Sequence, residues 1–197
     1  MEYDDENESL LHDRKNLAVI GVNINSGTFE RIFSKLEFLT AFSYLREVMD
    51  KNSISYYSVQ YEGCALPRDH MDDSIARKIG IIGRKTSSTI STPYEFQAQF
   101  NALEKWGLIS SRGRGNLGRS LESIGKAGIR TVFLSGFITE FNILGAAFET
   151  MKRGLVPVVI SDAVSSPNER LHFHGLEILS NFCFIMDSRD LMKRWDA

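Results

Sequence analysis

Thr131-Val132-Phe133-Leu134-Ser135 is a short apolar run, and Val156-Pro157-Val158-Val159-Ile160 is a second one. Between them, residues 139–153 carry a helical pattern closed by Gly154, a residue that enters a left-handed C-terminal cap at no steric cost. A strand, a helix and a strand at this spacing make a βαβ unit. Its right-handed crossover places both strands parallel in one sheet.

The same alternation continues outward in both directions. Downstream, Ser166-Pro167-Asn168 opens a helix that runs to about Leu179, and Phe182-Cys183-Phe184-Ile185 reads as a last strand. Upstream, Leu17-Ala18-Val19-Ile20-Gly21-Val22 suits a strand buried on both faces. A helical stripe follows over residues 30–51 (Ile32, Phe33, Leu36, Leu39, Phe42, Leu45, Val48, Met49), and Ile54 to Val59 reads as a second strand. Residues 61–93 are irregular apart from a short extra strand at Lys78 to Ile82. A helix over Tyr94 to Trp106, started by Thr92-Pro93, leads to a short strand at Leu108-Ile109-Ser110-Ser111. Arg112-Gly113-Arg114-Gly115 reads as a loop, and Leu117 to Ala127 as a helix closed by Gly128. The whole predicts an α/β fold: a three-layer α/β/α Rossmann-like sandwich with a mainly parallel sheet in the order 3-2-1-4-5-6.

Composition sets the outer bounds. The chain has 197 residues, 43% hydrophobic and 24% charged, which suits one globular domain with its own core. Residues 1–15, starting Met1-Glu2-Tyr3-Asp4-Asp5-Glu6, read as a frayed acidic tail, and residues 16–197 as the domain. Two cysteines, Cys64 and Cys183, exclude a disulfide scaffold. A net charge of −2 argues against a nucleic-acid partner. No apolar stretch is long enough for a membrane span, and the start lacks a secretory pattern, so a cytoplasmic protein is expected.

In an open parallel sheet, ligands sit beyond the carboxyl ends of the strands, where strand order reverses. Here that point lies between the first strand and the 131–135 strand. The loops there are Asn23-Ile24-Asn25 and Gly136-Phe137-Ile138-Thr139-Glu140-Phe141-Asn142. The second loop opens into a helix, whose free N–H groups and dipole favour an anion or a low-pKa nucleophile.

The second loop, with Ala146-Ala147-Phe148 and Gly154-Leu155-Val156-Pro157-Val158-Val159-Ile160-Ser161-Asp162-Ala163, resembles the isochorismatase-like cysteine hydrolases. That family includes isochorismatases, nicotinamidases, N-carbamoylsarcosine amidohydrolases and ureido or biuret amidases. Its pattern is roughly G-x-x-T-x-x-C, a helix ending in G, and an apolar strand closing on D-A. Glu169, His172, Leu176 and Leu179 match its E-x-x-H-x-x-x-L helix. Ala18 to Asn25 lines up with its first strand, typically A-L-L-V-I-D-M-Q. The resemblance spans about residues 16–193. It implies dimers or tetramers and a non-proline cis peptide between Phe137 and Ile138. It also implies a pocket drawing on Asn25, Arg114, Phe137, Ile138, Thr139 and Phe141.

The departures fall on the chemistry. The family's nucleophilic cysteine falls on Asn142. Its catalytic aspartate falls on Asn23, or on Gly21 if the alignment slips by two, and its lysine near Arg112. An amide is neither nucleophile nor base at neutral pH, and an arginine does not give up its proton. Asn142 also suits a polar place in a first helical turn, and Asn23 a strand-end turn. Arg112 and Arg114 suit either a clamp on a small anion or a solvated loop. Cys64 follows the second strand and reads as an inert thiol rather than a relocated nucleophile. Asp69-His70 lacks a metal spacing, and His172 and His174, two apart on a helix, face different ways. Neither a metal nor a cofactor is expected.

Two functions fit. One is a catalytically degenerate, pseudoenzyme member that acts as a small-molecule-binding or scaffold subunit and self-associates, its 13 phenylalanines serving core and interface. The other is a hydrolase or lyase acting on a small anionic substrate without a cysteine, with Glu140 the nearest acid. An ordinary dinucleotide binder is disfavoured, because Gly113-Arg114-Gly115 and Gly118 do not follow a first strand at G-x-G-x-x-G spacing.

Overall fold

A computed structural model describes residues 11, 13–61 and 115–196. Among these residues, six parallel strands form one sheet in the order β3-β2-β1-β4-β5-β6: β1 Leu17–Val22, β2 Ser55–Gln60, β3 Gly115–Asn116, β4 Thr131–Phe137, β5 Val156–Ser165 and β6 Phe184–Met186. Among the described residues, five helices of two turns or more flank it: α1 Lys35–Asn52, α2 Leu117–Lys126, α3 Leu144–Met151, α4 Glu169–Leu179 and α5 Ser188–Asp196. The predicted class and strand order are therefore those of the structure.

Strand parity divides the interior. Val19, Phe133, Val158 and Ile160 point to one face, where Phe38, Phe42, Leu45 and Met49 of α1 and Leu191 and Trp195 of α5 cover them. Ala18, Ile20, Val132, Leu134 and Val159 point to the other, under Leu121, Ile124, Ala146, Ala147 and Leu179. All six residues of β1 are buried, as expected of a central strand covered on both sides.

Several boundaries differ from expectation. Regular helix begins at Lys35 rather than near residue 30; of the predicted stripe, Phe33 before it and Leu36 in its first turn are exposed, while Ile32 is buried ahead of it. β4 runs two residues past Ser135, and β5 five past Ile160. Their pairing jumps from Leu134↔Val159 to Gly136↔Val164, a wide bulge that carries the end of β5 over the sheet's upper rim. The third strand described is Gly115–Asn116, part of which read as loop. The strands expected at 78–82 and 108–111 and the helix expected at 94–106 lie outside the described residues. Packing also reaches into the expected tail. Leu11 is buried, its carbonyl accepts from Trp195 Nε1 at 3.1 Å, and Arg14 donates to the Trp195 carbonyl and to Asn52.

At the site the bend after β4 is made differently from the resemblance. The Phe137–Ile138 peptide is trans, and the chain turns at Ile138 itself, which sits in the left-handed region at φ 68°, ψ 73°. A β-branched residue there is strained. The bend is held because Ile138 N–H donates to the Ser165 carbonyl at 2.8 Å, at the end of the extended β5. Just before it, Gly136 (φ +123°) lies so near β1 that an added Cβ would stand 2.0 Å from the Val22 carbonyl oxygen, so only glycine fits.

Candidate functional site

The ends of β1 and β4 lie side by side, as the switch-point argument requires. Asn23 follows β1 at φ 54°, a conformation that asparagine tolerates. Its Nδ2 donates to the Tyr61 carbonyl at 2.7 Å, and its Oδ1 accepts from Tyr61 N–H at 2.8 Å. The side-chain amide thus imitates a peptide group and extends the β1–β2 pairing past Val59. A carboxylate at this place has no donor for the Tyr61 carbonyl. Asn25 is also used locally. It donates to the Asn23 carbonyl at 2.9 Å and accepts from Thr28 N–H at 3.0 Å, capping the single helical turn Ser26–Phe29.

After β4, Phe137 is fully buried among Phe29 and Phe38, its ring 4.6 Å from that of Phe38. Residues Thr139–Ile143 form a π-helical turn that leads into α3. Its amides converge inward. Phe141, Asn142 and Ile143 N–H all donate to the Ile138 carbonyl, at 3.1, 2.7 and 3.2 Å, and Thr139 N–H donates to Ser166 Oγ at 2.8 Å. Of the four N–H groups that a helix start leaves free for an anion, three, those of Ile138, Thr139 and Phe141, are therefore already engaged. The Asn142 side chain is buried, with Nδ2 donating to the Phe137 carbonyl at 3.1 Å. Ile138 and Phe141 are half-buried.

A polar network not foreseen from the sequence fixes this turn to the next layer. Thr139 Oγ1 lies 2.8 Å from His172 Nδ1 on α4, while Ser166 Oγ accepts from Thr139 N–H and donates to the Glu140 carboxylate. Gly175 lets α4 come close enough, since an added Cβ would be 2.8 Å from Glu140 Cα. Burial holds the His172 imidazole below its ordinary pKa, so it is neutral at pH 7. Thr139 is wholly buried, and Glu140, the acid nearest the strand ends, is occupied by Ser166. His172 and His174 do part company, one buried and one exposed. The signal for the network lay in the E-x-x-H helix, but its partners come from three separate elements.

Arg112, Arg114, Cys64 and Asp69-His70 lie outside the described residues. Cys183 is half-buried next to β6, and desolvation pushes its thiol up to about 12, far from a thiolate at neutral pH. Among the described residues no three His, Cys, Asp or Glu side chains gather as a metal set, and no helix is long and apolar enough to cross a membrane. A cleft of about 600 Å³ opens between the start of α1, the end of β5, α4 and the start of α5. None of Asn23, Asn25, Phe137, Ile138, Thr139, Phe141 and Asn142 lines it.

Residues 98–190 match the isochorismatase domain family model. No curated protein matches the chain. Among solved structures, an isochorismatase family protein from Burkholderia thailandensis is similar at 16% identity and TM-score 0.61, over 93% of this chain and 97% of that one. The YcaC gene product of Escherichia coli, an octameric hydrolase of unknown specificity, is similar at 16% identity and TM-score 0.57, over 91% and 78%. The MAR1 ribonuclease of Caenorhabditis elegans is similar at 17% identity and TM-score 0.54, over 91% and 81%.

Proposed function

We propose that this isochorismatase-like protein does not perform thiol-dependent amide hydrolysis and serves instead as a small-molecule-binding or scaffold subunit. The observation that carries the reading is how the two amides at the strand ends are used. Asn23, at the family's acid position by the resemblance unless the alignment slips by two onto Gly21, bridges both backbone groups of Tyr61. Asn142, which aligns with its cysteine, is tied to the Phe137 carbonyl. Neither side chain presents a nucleophile or a proton acceptor to a substrate.

Self-association belongs to the same reading. Phe33, Leu36, Phe148, Leu171, Phe173 and Ile178 are large apolar side chains left exposed, and the similar fold from E. coli is an octamer. A small anion at Arg112 and Arg114, and a cytoplasmic location, complete the proposal.

The test is hydrolysis of nicotinamide and N-carbamoyl substrates by the wild-type chain and by Asn142→Cys. Both are expected to be inactive, because nucleophile and proton acceptor act as a unit and restoring one alone leaves the other missing. Hydrolysis by the wild-type chain that iodoacetamide abolishes would overturn the reading and make Cys64 or Cys183 the nucleophile.

A further inference from the structure

His172 on α4 is only 4% exposed, yet it lines the cleft between α1, β5, α4 and α5. Its Nδ1 is engaged with Thr139 Oγ1 at 2.8 Å, and its Nε2 has no partner. Among the described residues no sealed side-chain nitrogen or oxygen lacks a hydrogen-bond partner, so Nε2 meets open space, and the open space that His172 lines is the cleft. The wholly buried Thr139 hydroxyl has no acceptor other than Nδ1. It donates there, because a buried hydroxyl proton without an acceptor is costly. The imidazole, held neutral by burial, therefore carries its proton on Nε2, and a fixed N–H donor faces the cleft.

Two phenyl rings adjoin that donor. The Phe33 ring meets the imidazole edge to face with centroids 5.2 Å apart, the Phe173 ring does so at 5.1 Å, and the two phenyl centroids are 6.3 Å apart. Both phenylalanines line the cleft and both are exposed. Charge narrows the ligand further. Among the described residues the lining holds three carboxylates, Glu37, Asp162 and Asp187, against one guanidinium, Arg189. An anion meets that surplus of negative charge, and a simple ammonium has no acceptor to offer the Nε2–H. A neutral acceptor on an aromatic frame suits the donor, the rings and the charge together.

We propose that this cleft binds a neutral aromatic molecule bearing a carbonyl or ring-nitrogen acceptor. The acceptor takes the His172 Nε2–H, and the aromatic frame packs on Phe33 and Phe173. Binding gives the unpartnered donor a directed hydrogen bond and takes exposed phenyl surface out of water. The inference gives the small-molecule-binding role a ligand class, and it does not depend on the loss of thiol chemistry. The cleft shares no lining residue with Asn23 or Asn142, so a hydrolysis assay and a binding titration fail separately. It assigns Phe33 and Phe173 to a ligand and leaves Phe148, Leu171 and Ile178 for self-association.

Titration of the full chain with acetophenone, followed by ligand-observed NMR, tests it. Ethylbenzene offers a similar frame without an acceptor, and benzoate offers an acceptor with a negative charge. Saturable binding of acetophenone is expected, with ethylbenzene about three- to tenfold weaker and benzoate weaker than acetophenone. Phe173→Ala, at an exposed residue, should weaken acetophenone about threefold or more. His172→Phe keeps a ring and should abolish the preference for acetophenone over ethylbenzene. Proton–nitrogen correlation spectra of the chain with isotope-labelled histidine read the donor without that variant, His172 being identified by replacing His12, His70 and His174 one at a time. They should show the His172 proton on Nε2 and that signal moving as acetophenone saturates. Absence of saturable binding up to about 10 mM, a range that covers weak ligands, overturns the proposal. So do equal binding of ethylbenzene, a His172 proton on Nδ1, and acetophenone binding that leaves the Nε2 signal in place. No acetophenone binding, together with a fall in mass by light scattering in Phe173→Asp, assigns this face to a second copy and also overturns it.

Discussion

Asn23→Asp replaces one atom group and isolates what the amide does. The variant keeps an acceptor for Tyr61 N–H but loses the 2.7 Å bond from Nδ2 to the Tyr61 carbonyl, and sets a carboxylate oxygen against that carbonyl. Aspartate tolerates the left-handed φ of 54° about as well as asparagine, so backbone strain contributes no difference. Losing that bond at a part-buried carbonyl and opposing it with a carboxylate oxygen costs about 1–3 kcal/mol. For a chain of this size that is a fall in Tm of about 2–12 °C. Thermal and urea unfolding at pH 7, followed by far-UV circular dichroism, measures it. Acidification should narrow the gap between variant and wild type, because the protonated carboxyl regains a donor for the Tyr61 carbonyl. Equal stability at pH 7 would refute the reasoning. It would mean that the strand end accommodates an acid without loss, and the main support for a non-catalytic role would be gone.

The His172 imidazole, held neutral by burial, makes stability depend on pH. Its folded pKa lies below its unfolded value, so the unfolded chain binds the extra proton. The stabilisation is complete above about pH 6.5 and is lost as pH falls toward the folded value. The difference in unfolding free energy between wild type and His172→Gln, measured across this range, should shrink on acidification, and a constant difference refutes it. Cys183, with its thiol pushed up to about 12, should resist iodoacetamide in the native chain at about pH 8 when Cys64 is replaced by serine, and react on unfolding. Rapid native labelling, read by mass spectrometry, would contradict its desolvated environment.

The central elements were legible because burial on two faces leaves a strong pattern. β1, β4 and the first half of β5 are unbroken apolar runs, and the helices between them end at Gly128 and Gly154, both at positive φ. Where a segment is anchored by few residues, the pattern fades. α5 is amphipathic, with Leu191 and Trp195 one turn apart on its buried side, but it is short, most of its residues are polar or charged, and its cap, Asp162, comes from a distant strand. β3 is two residues long, and its Asn116 also caps α2 by accepting from Arg119 N–H. Phe33 and Leu36 misled for the opposite reason. They are apolar at helical spacing but lie at the open side of the start of α1, where Leu36 stays exposed and Phe33 meets the rings of His172 and Phe173 instead of the core.

At the strand ends the residue types were legible and their bonds were not. Reading Asn23 and Asn142 as lost chemistry requires only the identity of each residue at an aligned place. What each amide does requires its neighbours in space, and those come from elsewhere. Tyr61 stands 38 residues after Asn23, and Ser166 stands 26 after Glu140 and 27 after Thr139. An alanine at Asn23 would take the side-chain amide away from the Tyr61 N–H and carbonyl, and one at Asn142 would take Nδ2 away from the Phe137 carbonyl. The physical content of these two positions is therefore the donor that an amide adds. That donor ties the end of β1 to Tyr61 and the start of α3 to the end of β4, so both side chains are spent on the protein's own backbone.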